Sequence, residues 1–284
     1  MAQQERPTEL PVVVTPAWLA RYRDTVVVAD VRWYLDGRSG RDAYLGGHIP
    51  GAVFVDVDTD LAAPPTPEGG RHPLPDPRDF AASLAALGVG DTTPVVAYDD
   101  SGGATAARLV WMLRALGSPA AVLDGGIQAW EGPLETGNPA PPRRHRTPVP
   151  WPPDRVADTA TVREELDDPA RLVLDARTRG RFTGAEPAPV DARPGHVPGA
   201  RNAAWQDNLT AGGGFADPAV LRERFAALGA DTADTVTAYC GSGVTACHDL
   251  LALEHAGYTR TRLYPGSWSA WGADPELPAE TGEG

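Results

Sequence analysis

Short apolar runs alternate along this chain with longer stretches of mixed polarity, and that alternation predicts its elements. Val26–Val31 (VVVADV) and Pro94–Tyr98 (PVVAY) read as buried strands, with Ala52–Asp56 (AVFVD) and the run AAVLD that follows the helix ending near Leu116 as two more. Helices fall between them. Thr15-Pro16 offers an N-cap and first-turn proline, Asp76-Pro77 opens a helix that Gly88 ends, and a glycine-rich turn after Tyr98 leads into the helix to Leu116. Strands alternating with helices predict α/β architecture, a small mostly parallel sheet flanked by helices on both faces. No apolar run approaches the roughly 18 residues of a membrane span, so no membrane partner is expected.

The pattern is written twice. Asp76–Asp99 (DPRDFAASLAALGVGDTTPVVAYD) matches Asp217–Cys240 (DPAVLRERFAALGADTADTVTAYC) at a constant offset of 141, which also pairs Trp130 with Trp271. Upstream, ADVR around Asp30 pairs with LDAR around Asp175, and GGHIPGA around His48 with PGHVPGA around His196. The expected organisation is a non-catalytic domain at 1–135, a proline-rich linker at 136–157 and a catalytic domain at 158–284. The run RRHR at 143–146 reads as a solvated charge cluster of that linker.

Composition narrows the chemistry. The 284 residues suit two ordinary domains, and 42% hydrophobic with 22% charged residues is a globular balance. The opening MAQQERPTELPVVV lacks the basic-then-apolar pattern of a signal peptide, so a cytoplasmic location is expected. A net charge of −13 argues against nucleic acid or an acidic membrane surface as partner. All 25 basic residues are arginine, which excludes lysine Schiff-base chemistry, pyridoxal phosphate included. Cys240 and Cys247 are too few for a disulfide framework or a cysteine-rich zinc site, and Cys247 reads as a small buried hydrophobe.

Cys240 is the candidate nucleophile. It follows the strand TVTAY and precedes a helix expected to start near Val244, at the strand end where parallel sheets collect ligands. Gly241 and Gly243 let the backbone curl with its amides inward, and the helix N-terminus adds unpaired N–H groups. Both favour a thiolate, or a persulfide anion whose charge lies one atom further out. The duplicate position holds Asp99, so one site per chain is expected.

GHIPGA with GHVPGA, YCGSGVTAC and the closing LYPGSWSAW together resemble the tandem-domain rhodanese family of sulfurtransferases, over nearly the whole chain apart from the linker and termini. The resemblance implies a double displacement. Cys240 takes sulfur from a small anionic donor, becomes a persulfide, and passes the sulfur to a thiophilic small molecule or protein thiol, with no metal and no organic cofactor. The loop CGSGVT is similar to that of members using 3-mercaptopyruvate, whereas thiosulfate-using members carry CRKGVT. With Gly241 and Ser242 in place of Arg and Lys, a doubly charged anion meets less positive charge. Thiosulfate is the alternative donor.

Gly241, Gly243, Val244 and Thr245 then bind the donor, and Arg181 in GRFTGAEP matches the family arginine that holds its carboxylate. A guanidinium fork suits that group. Vertebrate members place a second arginine where this chain has Val190, so either Arg193 takes over or carboxylate binding is weaker. The family's Ser-His-Asp relay would use Ser242 and His48, with Asp36 or Asp42 as acid because the matching position holds Ser39. His196 reads as structural. Two other functions compete. A Cys-x5-Arg phosphatase needs an arginine where this chain has Ala246. An inactive binding module would leave Cys240 idle.

Overall fold

The computed structural model describes residues 10–138 and 140–283. These form two compact units that do not follow the sequence halves. Unit 1 holds the described residues up to Ala62, then Pro75–Trp151 and Ala211–Phe215, and unit 2 holds Ala63–Leu74, Pro152–Thr210 and the described residues from Ala216 on.

In unit 1, Val13–Val14 (β1) leads into Pro16–Tyr22 (α1), where Thr15 caps the helix by accepting the Trp18 N–H. Val27–Asp30 (β2), Gly40–Gly46 (α2), Val53–Phe54 (β3), Pro77–Ala86 (α3), Val95–Tyr98 (β4), Ala106–Ala115 (α4) and Ala120–Leu123 (β5) follow. The sheet order is β1-β5-β4-β2-β3 and every pairing is parallel. β4 and β5 are buried at every position, which is why they read as unbroken apolar runs. The expected strand at 52–56 contracts to two residues because β3 pairs with β2 only at Ala29↔Val53 and Asp30↔Phe54. β1 is too short to leave a periodic signal.

Unit 2 repeats the plan with Thr159–Glu164 (α5), Arg171–Asp175 (β6), Arg179–Thr183 (α6), Arg201–Asn202 (β7), Pro218–Ala227 (α7), Thr235–Tyr239 (β8), Ala246–His255 (α8), Thr261–Leu263 (β9) and Ser267–Trp271 (α9). The all-parallel order β7-β6-β8-β9 is that of β3-β2-β4-β5, and a single parallel bridge, Val156 to Leu263, stands where β1 stands in unit 1.

The duplication extends to individual bonds. Tyr98 and Tyr239 close the central strands, and their hydroxyls accept the N–H of Ile49 and Val197. Asp30 grips Arg32 through both carboxylate oxygens, as Asp175 grips Arg177.

The stretch read as a linker is fastened to its neighbours. Arg144 N–H donates to the Ala85 carbonyl, Thr147 bonds Asp91 twice, and the Trp151 indole donates to the Pro75 carbonyl while packing on Phe80. Contrary to the reading of RRHR as a solvated cluster, Arg146 is buried, with its guanidinium on the Gly90 carbonyl and Ser118 Oγ. Two acceptors offset the burial of that charge.

One acid in α8 links fold to pH. Asp249 is fully buried, and burial pushes its carboxyl up to about 7 against the pull of Arg224 and the Asn208 amide. The folded chain therefore keeps a proton that the unfolded chain releases near the ordinary value of 3.8, so this group's contribution falls as pH rises between those values. Asp249→Asn removes the slope. The variant's Tm, measured relative to wild type, is expected to rise from about pH 5 to about pH 8, at roughly 2–4 °C per kcal/mol. A pH-independent difference contradicts this.

Candidate active site

β8 ends at Tyr239 and the chain turns through Cys240 and Gly241–Thr245 before α8 begins. Because β6 and β9 flank β8 in parallel, this turn sits at the carboxyl ends of the central strands. Cys240 is 2% exposed and its turn is stitched to the start of α9. The Cys240 N–H donates to Ser267 Oγ at 3.1 Å, its carbonyl accepts the Trp268 N–H at 2.9 Å, and the Gly241 carbonyl accepts the Ser269 N–H at 2.9 Å. Ser267 has a φ of +53°, the one non-glycine value of that sign among the described residues. Its unit 1 counterpart is Gly126 at +61°. Unit 2 thus accepts about 1–2 kcal/mol of strain where glycine would have none, and gains a hydroxyl for the Cys240 amide.

Unit 1 shows what such a turn holds. The Asp99 carboxylate accepts four backbone N–H groups, from Ser101, Gly103, Thr105 and Ala106, at 2.8–2.9 Å, and the Thr105 hydroxyl as well. The turn is therefore an anion nest filled by its own side chain. Asp99 oxygens stand two bonds beyond Cβ. On a cysteine persulfide, the outer sulfur stands at the same remove.

Guanidinium groups converge over Gly241. A Cβ placed there would lie 2.9 Å from Arg181 Nη2 and 3.2 Å from Arg71 Nη2. Arg181 leaves α6 with its side edge on Asp191, Nε to Oδ2 at 2.8 Å and Nη2 to Oδ1 at 2.5 Å. The Asp191 side chain, 3% exposed, also lies 3.9 Å from Arg177, and Arg177 is locked on Asp175 with its guanidinium 4.7 Å from the Trp268 ring. Burial would raise the Asp191 carboxyl, but the bond and charge of Arg181 together with Arg177 hold it below the usual range. Burial likewise lowers Arg177, and Asp175 outweighs it to leave that group raised. Charges alternate along Asp175, Arg177, Asp191 and Arg181.

The histidine beside the loop is His72. Its Nδ1 lies 2.7 Å from Ser242 Oγ, both residues are buried, and it belongs to segment 63–74 of unit 2. This corrects the expectation for His48. That ring is fully buried in unit 1, with Nδ1 on the Tyr44 carbonyl, its face stacked on Tyr44 and Nε2 4.0 Å from Glu135. His196 repeats each feature in unit 2 with Phe182 and Glu280. A role present in both copies is that of a structural clasp. Ser39 caps α2 and Asp36 pairs with Arg38 on the surface, so both have local employment in unit 1, while Asp42 donates its N–H to Ser39.

Other expected residues fall as follows. Gly243 takes a φ of +75°, Val244 is buried, Thr245 is partly so, and Cys247 donates its thiol to the Gly243 carbonyl. Arg193 does not take over the missing guanidinium. It donates to the carbonyls of Trp271 and Leu277 and lies 5.8 Å from the Trp268 ring. The second guanidinium is Arg71, which holds the Val190 carbonyl through Nη1. Arg71, His72 and Ser267 were not singled out from sequence, although GGRHPLP does place Arg71 and His72 in an otherwise proline- and glycine-rich loop. No group of three or more His, Cys, Asp or Glu suited to a metal occurs among the described residues, and none of their helices is long and apolar enough to cross a membrane.

The chain belongs to the rhodanese family, whose rhodanese-like domain matches twice, over residues 15–133 and 158–274. It is 44% identical over 266 residues to a Pseudomonas aeruginosa protein named as a probable 3-mercaptopyruvate sulfurtransferase, covering 91% of this chain and 93% of that one. SseB of Mycobacterium tuberculosis, named for thiosulfate instead, is 38% identical over 291 residues, covering 95% and 97%. The crystal structure of the 3-mercaptopyruvate sulfotransferase SseA from Escherichia coli superposes with a TM-score of 0.80 at 32% identity, covering 91% of this chain and 99% of that one.

Ser267 gives a stability test. Ser267→Ala strips the buried Cys240 N–H of its acceptor, at about 1–3 kcal/mol, and keeps the strain. Ser267→Gly loses the same bond and relieves roughly 1–2 kcal/mol. Urea denaturation is expected to rank the Gly variant above the Ala variant, the reverse of their helix propensities. The opposite ranking contradicts the strain argument.

Proposed function

We propose that this chain moves sulfur from 3-mercaptopyruvate to a thiophilic acceptor through a Cys240 persulfide. One observation carries the reading. Where unit 1 fills its nest with the Asp99 carboxylate, unit 2 has a thiol that falls one bond short, so loading one sulfur atom would put an anion where the matching turn already holds one. Relatives named for 3-mercaptopyruvate support the donor. A nucleophilic thiol stays reduced in the cytoplasm, which is where this reading places it.

The atoms balance without a redox partner. The donor's carboxylate docks on the guanidiniums above Gly241, which fixes its sulfur against Cys240. The thiolate attacks that sulfur, the carbon–sulfur bond breaks, and its electron pair goes to the carbon as the enolate of pyruvate. The proton from the donor thiol ends on that carbon, and Ser242 with His72 form the hydrogen-bonded pair placed to carry it. Pyruvate leaves and the persulfide anion settles in the nest. Cyanide then takes the outer sulfur as thiocyanate, or a thiol takes it as a new persulfide, and the Cys240 thiolate returns.

Thiosulfate is the second reading. The SseB relative bears its name, and two guanidiniums stand above a loop that carries no charge of its own.

Intact mass spectrometry after incubation with 3-mercaptopyruvate tests the core step. Wild type is expected to gain the mass of one sulfur atom and Cys240→Ser none, and an unmodified wild type contradicts the reading. Thiosulfate giving equal or faster loading at matched concentration would make it the donor.

A second expectation separates the histidines. His72→Ala lowers kcat by about 10²-fold or more with little change in Tm. His48→Ala lowers Tm and leaves kcat per folded molecule within a few-fold. Exchanged outcomes would restore His48 to the site.

A further inference from the structure

Behind the nucleophile's turn lies a buried polar cluster for which the proposed reaction has no use. Asn208, His248 and Asp249 are each fully buried. Arg224 of α7 donates to Asn208 Oδ1 and, through Nη2, to the Ala204 carbonyl at 3.0 Å. With its oxygen engaged by a cation, the Asn208 amide presents Nδ2 as donor on its other side, 2.7 Å from Asp249 Oδ1 and 3.1 Å from His248 Nδ1. His248 Nδ1 is thereby fixed as an acceptor. Asp249 Oδ2 is buried with no hydrogen-bond partner. A single side-chain amide falls far short of what a buried carboxylate needs, so the cluster is built around a neutral acid.

Asp249 stands in the first turn of α8, the helix whose N-terminus closes the Cys240 turn, with Glu254 and His255 at its far end. The charged and titratable groups of the neighbouring elements are engaged with one another. Arg224 lies 3.8 Å from Asp207, Asp175 of β6 is gripped by Arg177, the Tyr239 hydroxyl of β8 meets the Val197 N–H, and Arg262 of β9 holds Thr237 and Glu165. Burial pushes the Asp249 carboxyl up to about 7, Arg224 and Asn208 oppose this, and Asp175 and Asp207 add to it. Unit 1 lacks this acid. α4 and α8 are both ten residues long, and the third residue of each, Arg108 and His248, sends its N–H to the carbonyl of the threonine before the helix at 3.1 Å. The fourth residues are Leu109 and Asp249. The nest with a permanent carboxylate thus stands on a helix with a buried arginine and no acid in its first turn. The nest that is to hold a passing anion stands on one with a buried acid there.

We propose that Asp249 is a positioning residue for the sulfur anion, setting through its own proton how much of the α8 N-terminal field reaches the Cys240 turn. This rests on the sulfur-transfer reading for the identity of that anion. Neutral, Asp249 leaves the positive end of the helix to the thiolate or persulfide. Ionised, it is a second anion on the same first turn and competes for that end. The linkage runs both ways, so an anion at residue 240 keeps the proton on Asp249 to higher pH. Sulfur transfer therefore loses support as pH rises through about 7, where the buried acid gives up its proton.

Infrared difference titration reads the Asp249 proton directly, from the protonated-carboxyl stretch that Asp249→Asn removes, and is run in two backgrounds. Cys240→Ser leaves the turn neutral, and Cys240→Asp gives it the permanent carboxylate that Asp99 gives unit 1. The Asp249 midpoint is expected to lie about 0.5–1.5 pH units higher in Cys240→Asp than in Cys240→Ser. Equal midpoints overturn the proposal. Kinetics need no change at residue 240. The ratio of kcat/KM for 3-mercaptopyruvate, Asp249→Asn over wild type, is expected to be about one near pH 5.5 and about 3–30 near pH 8.5. A purely structural loss gives a ratio that is flat with pH, and that result overturns the proposal as well. A shifted midpoint in a protein that forms no persulfide upholds the coupling and removes only the sulfur-transfer reading.

Discussion

A carboxylate with almost no access to solvent, Asp191, stands between Arg181 and Arg177, and the second of these is clamped by Asp175 at the end of a central strand. Buried charges are costly to desolvate, and removing one member of such a set strands the others, at about 3–5 kcal/mol. The chain of alternating charges is therefore less a source of stability than a constraint on position. It begins in the sheet, passes under Trp268, and ends with the outer edge of a guanidinium over Gly241. In the proposed reaction the donor's anion meets an edge that is fixed beforehand.

The two copies share a frame and differ at the nest and at the turn stitched to it. Both end a central strand in a tyrosine, clasp a histidine on a neighbouring carbonyl, and pair an aspartate with the arginine two residues on. Unit 1 then satisfies its nest with Asp99 and turns back through a relaxed Gly126. Unit 2 has Cys240 at the nest and a strained Ser267 in the turn, with its hydroxyl on the Cys240 amide. Strain at one such position, absent from the matching position of unit 1, is of the kind that collects at functional sites.

Much of this was legible in the sequence because its causes are local. Strands buried on both faces must be apolar throughout, and Asp76-Pro77 with Gly88 marks the ends of α3 by capping chemistry. Cys240 and Arg181 lie within a few residues of the strand or helix that carries them. Arg71 and His72 were hidden for the opposite reason. They sit in a segment with no periodicity that packs with unit 2 although its sequence lies in the first half. The eye goes instead to His48, whose motif is conspicuous because both copies need it as a clasp. Arg146 was misread similarly, since nothing in RRHR announces that one of its four residues reaches Gly90 and Ser118.

The account turns on a donor oriented by guanidiniums with its sulfur presented to Cys240, and a crystal structure of Cys240→Ser bound to 3-mercaptopyruvate shows this directly. The prediction is a carboxylate contacted by Arg71 Nη2 and the end edge of Arg181, with the donor's sulfur beside the side chain at position 240. A carboxylate bound away from both arginines, or a sulfur turned from position 240, would contradict it.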